Sequence, residues 1–146
     1  MRNLITMPLL FLFLILIGCS DEEGTNYKYL FAGEGEFWQA DYVYEGIEAF
    51  SEENGRTVYS NKYRDTFTLT FKGATEDIHP LEKIEFSFET SNHGSSSARE
   101  FDRPPNNITF TINGGGSGMK LKEDEVIQVN VKWNEFEESF ELVNQE

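Results

Sequence analysis

The sequence is short of cysteine and of cationic side chains, and each shortage excludes a class of protein. Cys19 is the only cysteine among 146 residues, so no disulfide can form within the chain. Twelve Lys and Arg stand against 26 Asp and Glu, which gives a formal net charge of −14. Because binding to phosphate groups requires positive charge, nucleic acid is excluded as a natural partner. The same negative charge repels the chain from an anionic lipid surface.

Long apolar runs are missing as well. The longest, Leu4 to Ile17, has 14 residues, whereas a membrane-spanning helix needs about 20. This length, close to the N-terminus and behind Arg2, is typical of a signal peptide. The next Lys or Arg is Lys28, while a stop-transfer helix usually carries such residues at its cytoplasmic flank. Because Arg2 could serve as that flank, an uncleaved anchor remains the alternative.

The end of the apolar run carries a recognisable motif. Leu16-Ile17-Gly18-Cys19 resembles the lipobox of bacterial lipoproteins. The resemblance implies that the Cys19 thiol is joined to diacylglycerol and that the signal is cleaved between Gly18 and Cys19. Acyl chains such as palmitate would then hold the protein on the extracytoplasmic side of the cell membrane, because two chains suffice for stable anchoring. The alternative, a small buried apolar cysteine, lacks a surrounding core, since acidic residues follow at once.

These observations divide the chain into three parts. Residues 1–18 are the expected signal peptide, residues 19–26 a lipidated tether, and residues 27–146 one folded domain. Cleavage removes one cation, Arg2, and leaves 11 cationic against 26 anionic side chains, a net charge of −15. A mature chain of this length can bury enough apolar surface to fold without disulfides or metal.

The domain is predicted to be all-β, because apolar and polar residues alternate along it with a period of two. Five clear runs show this alternation, and a sixth, weaker run has aromatic residues at alternate positions. The apolar positions are Phe67, Leu69 and Phe71; Ile84, Phe86 and Phe88; Ile108, Phe110 and Ile112; Ile127, Val129, Val131 and Trp133; Phe140 and Leu142; and, in the weaker run, Trp38, Ala40, Tyr42 and Tyr44.

Turn residues separate these runs. Asn54-Gly55 is a strong hairpin signal, and residues 92–97, 103–106 and 113–118 are rich in Gly, Pro, Asn and Ser, which favours loops. Residues 45–53 could be a strand extension or a single helical turn. Antiparallel strands with one polar face predict an immunoglobulin-like β-sandwich of about seven strands. An eight-stranded β-barrel is the alternative.

Two segments resemble a family of small, functionally uncharacterised lipoproteins of Gram-positive bacteria. Residues 33–38, Gly-Glu-Gly-Glu-Phe-Trp, resemble the Gly-Glu-Ser-Glu-Asn-Trp opening of that family, from which Gly35 and Phe37 depart. Residues 129–133 and the closing strand at 140–142 fit its pattern. The resemblance implies a β-rich fold and an extracytoplasmic location, and it carries no activity.

Residue patterns for catalysis are largely missing. There is no Gly-x-Ser-x-Gly motif, and the glycine-rich run at 114–118 lacks the Gly-Lys-Ser/Thr ending of a phosphate-binding loop. His79 and His93 are isolated and are predicted to be exposed loop residues, so no metal site, cofactor or enzymatic activity is expected. Four glutamates of the last hairpin are predicted to form the solvent-exposed face of an edge strand: Glu135, Glu137, Glu138 and Glu141.

The sequence therefore predicts a non-catalytic interaction module that binds an extracellular protein or glycan. Four tyrosines, Tyr27, Tyr29, Tyr59 and Tyr63, form either a stacking row for such a ligand or the rim of a sheet. One alternative is an acidic inhibitor or immunity-type lipoprotein that binds a basic secreted partner. The other is a hydrolase of wall polymers with loop carboxylates, which would require a groove that raises a carboxyl pKa.

Overall fold

A computed structural model describes residues 24–78 and 80–146. Signal cleavage at Gly18, lipidation of Cys19 and the prediction for His79 lie outside these residues. Eight strands account for most of the described chain: β1 (Gly24–Glu34), β2 (Trp38–Glu53), β3 (Arg56–Phe71), β4 (Lys83–Glu89), β5 (Gly94–Glu100), β6 (Thr109–Ser117), β7 (Ile127–Trp133) and β8 (Phe136–Asn144). One turn of 3-10 helix, Thr75–Ile78, follows β3.

The strands form one antiparallel sheet in the order β5-β4-β7-β8-β1-β2-β3-β6. Two four-stranded halves meet where β1 and β8 pair, at Phe31 with Asn144 and Ala32 with Val143. The sheet curls until its edge strands approach each other, with Arg99 of β5 lying over the Phe110 ring of β6. The predicted antiparallel all-β domain is confirmed, and the structure matches the eight-stranded barrel rather than the sandwich of about seven strands.

Side chains that point into the barrel make one continuous core. The alternating apolar positions of β2, β3, β4, β7 and β8 are buried as predicted. Phe67 of β3 stacks on Phe88 of β4 with ring centroids 5.0 Å apart, a contact across the interior, since these strands are not neighbours in the sheet. Trp38 and Trp133, predicted to be core residues, are 0% and 6% exposed.

Two segments differ from their predicted conformations, and a third agrees with one of its two predicted alternatives. The ambiguous stretch 45–53 continues β2 as a strand. The serines at 95–97 lie in β5, and the glycines at 114–116 lie in β6, where they pair with Tyr63 to Asp65. Residues 95–97 and 113–118 are predicted as loops because apolar residues do not alternate there, whereas residues 109–112 of β6 fall in a run predicted as a strand. Strand β1 begins at Gly24, so the last three residues of the predicted tether belong to the domain.

The longest hairpin projects beyond the rest of the sheet. The outermost pairing of β1 joins Gly24 to Ala49, and that of β6 joins Ser117 to Lys62. Among the residues that the structure describes, residues 50–59 of β2 and β3 therefore pair only with each other, around a turn at Asn54-Gly55. We call residues 50–59 the arm, and the end of the sheet that carries it the arm end.

Candidate binding site

An open groove of about 460 Å³ lies at the opposite end of the sheet from the arm. Its walls come from the β1–β2 turn, the end of β3 and the β7–β8 hairpin. The lining residues are Glu36, Phe37, Phe71, Lys72, Gly73, Asp77, Trp133 and Phe136. We call this feature the aromatic groove, and the end of the sheet that carries it the groove end.

Three aromatic rings in contact make up one wall of the aromatic groove. Phe136 stacks on Trp133 with ring centroids 5.5 Å apart, and Phe37 contacts Trp133 at 5.7 Å in a tilted arrangement. Phe37 is 42% and Phe136 60% exposed, whereas Trp133 is buried. Trp133 in turn meets Trp38 edge to face at 5.7 Å, so the exposed rings rest on the core and cannot collapse into it.

Hydrogen bonds fix the β1–β2 turn that presents Phe37. Both carboxylate oxygens of Glu138 accept from the Phe37 backbone N–H, at 3.2 and 3.1 Å. The Lys72 N–H donates to the Phe37 carbonyl at 2.8 Å, and the Lys72 amine donates to the Gly35 carbonyl at 3.0 Å. The turn is therefore tied to both β3 and β8. A preformed surface of this kind loses little conformational entropy when it binds a ligand.

The surroundings of the groove are acidic. Glu36 and Asp77 are exposed in its lining, and Glu135 is exposed in the adjoining β7–β8 turn. Lys72 contributes a positive charge, but its amine pairs with Glu34 at 3.1 Å. The groove end therefore combines exposed aromatic surface with net negative charge.

The core beneath the groove holds an unusual polar atom. Trp38 Nε1 is buried and has no hydrogen-bond partner among the residues that the structure describes. Phe71 and Trp133 pack against the indole at 5.2 and 5.7 Å. An orphaned buried donor costs about 1–3 kcal/mol, a cost that the rest of the core has to offset.

A second polar cluster lies inside the sheet toward the arm end. Asp65 of β3 is 6% exposed, and its Oδ2 accepts from the Tyr42 hydroxyl at 2.7 Å and contacts His93 Nε2 at 2.9 Å. Tyr63 and Tyr44 pack against the His93 ring, at 5.3 and 6.4 Å between centroids. We call Tyr42, Asp65 and His93 the Asp65 cluster.

Burial and hydrogen bonding act on Asp65 in opposite directions. Burial alone would raise the pKa of the carboxyl, but the hydrogen bonds from His93 and Tyr42 outweigh it and leave the Asp65 pKa below its ordinary value. Burial, together with the neighbouring carboxylate, raises the pKa of the Tyr42 hydroxyl. Asp65 is therefore ionised and Tyr42 protonated at neutral pH, as the geometry of a donating hydroxyl requires.

The Asp65 cluster holds the β4–β5 turn against β2 and β3. The remaining ring nitrogen of His93, Nδ1, lies 3.3 Å from the Thr90 hydroxyl. That hydroxyl already accepts from the backbone N–H of Asn92 and His93 and donates to the His93 carbonyl at 2.9 Å. These hydrogen bonds engage the Thr90 hydroxyl within the turn. A nucleophile would need a free hydroxyl directed at a substrate, so Thr90 has the environment of a turn-forming residue.

Several predicted positions require correction. His93 is not an exposed loop residue, since its ring is held by Asp65 and Tyr42. The glutamates of the last hairpin do not lie on an edge strand, because β8 pairs with both β7 and β1. The four tyrosines do not form one exposed row: Tyr29 is buried, Tyr27 and Tyr63 are half-buried, and Tyr59 is exposed.

The residues that shape the aromatic groove were not predicted as a site. Phe37 and Phe136 each occupy a hairpin position where polar residues are usual, one at the β1–β2 turn and the other directly after the β7–β8 turn. An aromatic residue next to a turn, outside the alternation of its strand, was the available signal. That both turns meet at the same end of the sheet follows only from the strand order.

Within residues 24–78 and 80–146, no three His, Cys, Asp or Glu side chains converge in a way that could hold a metal ion. No helix in the same part of the chain is long and apolar enough to cross a bilayer.

Comparison with known proteins adds no relative to this description: no family model, no curated protein and no solved structure matches the chain.

Proposed function

We propose that the chain is an extracytoplasmic lipoprotein, anchored to the cell membrane through Cys19, whose β-domain is a non-catalytic binding module. The apolar run at 4–17 and the lipobox at 16–19 support the anchor. The aromatic groove supports binding, and it is the observation that carries this part of the proposal. Exposed, well-positioned aromatic residues are characteristic of the energetic centres of protein interfaces.

The position of the groove fits an anchored module. Strand β1 begins at the arm end, and the aromatic groove lies at the other end of the sheet. A lipid on Cys19 would hold the arm end at the membrane and direct the groove away from it. The groove would then face the space in which an extracellular partner is met.

The lining of the groove favours a protein as the partner. Phe37, Phe71 and Phe136 offer apolar rings without hydroxyl or amide groups, a surface that complements an aromatic or aliphatic side chain. The neighbouring carboxylates of Glu36 and Asp77 complement lysine and arginine. We therefore expect an extracellular protein that presents an aromatic or aliphatic side chain flanked by basic residues.

A peptide-binding experiment tests the groove. Peptides with a central Phe, Trp or Leu between lysines and arginines would be titrated against the full-length chain and its variants by fluorescence anisotropy. We expect the double variant Phe37→Ala, Phe136→Ala to lose at least about tenfold in affinity, as hot-spot residues do. Phe50→Ala, which truncates an equally exposed ring on the arm, is the matched control and should bind normally.

Two results would overturn the binding proposal for the groove. One is equal affinity of the wild type and the double variant. The other is binding of soluble wall glycan fragments with no binding of any peptide, which would replace a protein partner by a glycan.

Labelling with a fatty acid tests the anchor. The wild type should incorporate the label and lose residues 1–18, as measured by intact mass, whereas Cys19→Ser should do neither. An unmodified, unprocessed wild-type chain would contradict the lipoprotein proposal.

An acidic inhibitor or immunity-type lipoprotein is the second candidate. The observation that favours it is the negative charge around the aromatic groove, because opposite charge accelerates encounter with a basic secreted protein. Its association rate should fall steeply as salt rises. A rate that is independent of salt would contradict this candidate and leave the binding module itself intact.

A further inference from the structure

The arm carries an apolar surface that the barrel does not use. Phe50 and Tyr59 are cross-strand partners on one face of the arm, with ring centroids 5.2 Å apart. They are 63% and 40% exposed. Neither β1 nor β6, over the residues described from Gly24 onward, extends beside them, and neither ring belongs to the core.

Hydrogen bonds to Glu48 at the base of the arm hold the aromatic pair in place. The Tyr59 hydroxyl donates to Glu48 Oε2 at 3.3 Å, and the Lys120 amine donates to Glu48 Oε1 at 3.1 Å. Lys120 also lies over the rings of Tyr27 and Tyr29, at 4.8 and 5.5 Å. The base of the arm is thus fixed to the barrel, which gives the exposed rings a defined direction.

The length of the arm nearly equals the reach of the lipid anchor. Beyond the level of Gly24, which pairs with Ala49, the arm extends five residues to its tip at Asn54, about 16 Å at the rise of a strand. The link from Cys19 to Gly24 also has five residues and spans at most about 17 Å. When the arm points toward the membrane, even a fully extended link therefore leaves its tip within about 1 Å of the level of Cys19.

From this match we propose that the arm contacts the headgroup region of the membrane through Phe50 and Tyr59, an inference that rests on the proposed lipid anchor. Aromatic rings, tyrosine in particular, favour the boundary between headgroups and acyl chains. The tip carries Glu52 and Glu53 with Arg56, so its net charge gives no attraction to anionic lipid. The contact is therefore apolar and insensitive to salt, and it sets the orientation of the barrel rather than the strength of anchoring.

A fluorescent label on the arm tests the contact. The Cys19 thiol is consumed by the lipid, so a cysteine introduced by Thr57→Cys is the site that a thiol-reactive nitrobenzoxadiazole dye would label. The lipidated chain would be reconstituted in vesicles of phosphatidylcholine and phosphatidylglycerol that contain lipids with nitroxide groups near the headgroup. We expect blue-shifted, strongly quenched emission from this site, unchanged between low and high salt.

Two variants provide controls for this measurement. A label at Glu135→Cys, in the exposed turn at the groove end, should remain unquenched. Adding Phe50→Ser and Tyr59→Ser to the labelled Thr57→Cys chain should remove most of the quenching, while circular dichroism confirms that the barrel is folded. Phe50→Leu alone, which keeps an apolar side chain, should retain the quenching.

The outcomes separate this inference from the anchor. If the wild type floats with the vesicles and Cys19→Ser does not, the anchor stands, and an unquenched label at Thr57→Cys then overturns the arm contact alone. Equal quenching at the two labelled positions also overturns it. If the wild type does not float with the vesicles, the anchor and the arm contact both fail.

Discussion

A single buried carboxylate organises the polar interior at the arm end. Asp65 is bonded to both Tyr42 and His93, and through them it joins β2, β3 and the β4–β5 turn. Asp65→Asn removes the charge that these donors stabilise. Hydrogen bonds to charged groups contribute about 1.5–3 kcal/mol each, so we expect the variant to lose about 2 kcal/mol in its free energy of unfolding at pH 7. Urea denaturation measures this loss, and Asp41→Asn, an exposed residue of β2, should change little.

The loss of unfolding free energy caused by Asp65→Asn should become smaller in acidic solution. Since the Asp65 pKa is lower in the folded than in the unfolded chain, the ionised carboxylate stabilises the fold above its unfolded pKa, about 3.9. This contribution is lost as the pH falls through the lower folded pKa. The difference in unfolding free energy between wild type and variant should therefore shrink as the pH falls below about 4. A difference that grows as the pH falls would contradict the assigned shift.

The sequence could not predict the Asp65 cluster, although it contains all three residues. Tyr42 alternates with polar residues and is correctly predicted as inward-facing, but Asp65 occupies an inward position where an apolar residue is expected. His93 lies 28 positions beyond Asp65, in a segment whose composition indicates a loop. Their meeting depends on the curl of the sheet, which brings the β4–β5 turn over β3. The sequence shows which residues are present and which way their strands face, but it does not show how the curled sheet brings distant residues together.

Among the elements, the β2–β3 hairpin depends most on its turn. Asn54 and Gly55 have φ angles of 51° and 77°, the left-handed conformation that the Asn-Gly pair predicts. Gly55→Ala should destabilise the turn by about 1–2 kcal/mol, the cost of a side chain in this conformation. Because the arm lies outside the barrel, we expect faster hydrogen exchange at residues 50–59 and an almost unchanged melting temperature. Asn54→Gly is the control and should not accelerate exchange, since glycine adopts positive φ readily. A large drop in melting temperature for Gly55→Ala would show that the arm and barrel unfold together.

The segment between β6 and β7 closes the interior at the arm end. Lys120 pairs with Glu48 and lies over the Tyr27 ring, while the Leu121 N–H donates to the Tyr44 hydroxyl at 3.2 Å. Lys120→Met keeps the length of the side chain but removes its charge. We expect a loss of about 0.5–2 kcal/mol in thermal or urea unfolding, the range of a partly desolvated cation–π contact. Lys122→Met, on an exposed residue of the same segment, should have no such effect, and equal losses in both variants would argue against a specific role for the amine.

Alternating apolar residues made five strands (β2, β3, β4, β7 and β8) and the first half of β6 predictable as elements, whereas β1, β5 and the glycine-rich half of β6 were not. Residues of β7 alternate in sequence and in burial because one face meets the core and the other meets water. Strand β5 is exposed at nearly every position, so no apolar period marks it, and its pairing with β4 determines its conformation. In β6 the glycines make room for neighbours: a Cβ at Gly114 would press on Asp65, and one at Gly116 would press on Tyr63. Strand β5 and the glycine-rich half of β6 are therefore defined by tertiary contacts rather than by local preference.

For the molecule as a whole, the alternation of apolar residues determines that the sheet encloses a core, but not how the sheet closes. A sandwich and a barrel require the same inward and outward pattern, since each puts one face of every strand inside. The decision rests on the short β1–β8 ladder and on the approach of β5 to β6. This closure also gives the molecule its two unlike ends, with the arm at one and the aromatic groove at the other.

The contact between the edge strands β5 and β6 should be the least stable part of the barrel wall. The pairings of β5 and β6 are with β4 and β3, respectively, and side chains bridge the space between these two edge strands. The Arg99 guanidinium lies 5.5 Å from the centre of the Phe110 ring, and Phe101 packs on the same ring at 6.2 Å. Unpaired edges invite pairing with other chains, and the serines, Arg99 and Glu100 of β5 keep this edge hydrated.

Arg99→Ala tests whether this contact closes the barrel. We expect a loss of about 0.5–1 kcal/mol in the free energy of unfolding, as for an exposed cation–π pair, together with faster hydrogen exchange in β5 than in β7, which is paired on both sides. Arg103→Ala, on an exposed loop residue, should leave both measurements unchanged. Because the variant uncovers the Phe110 ring at an open edge, it should also self-associate more readily, which sedimentation velocity would detect. If Arg99→Ala unfolds and exchanges like the wild type, the barrel is closed by its interior packing alone, and the side chains across the gap contribute nothing to closure.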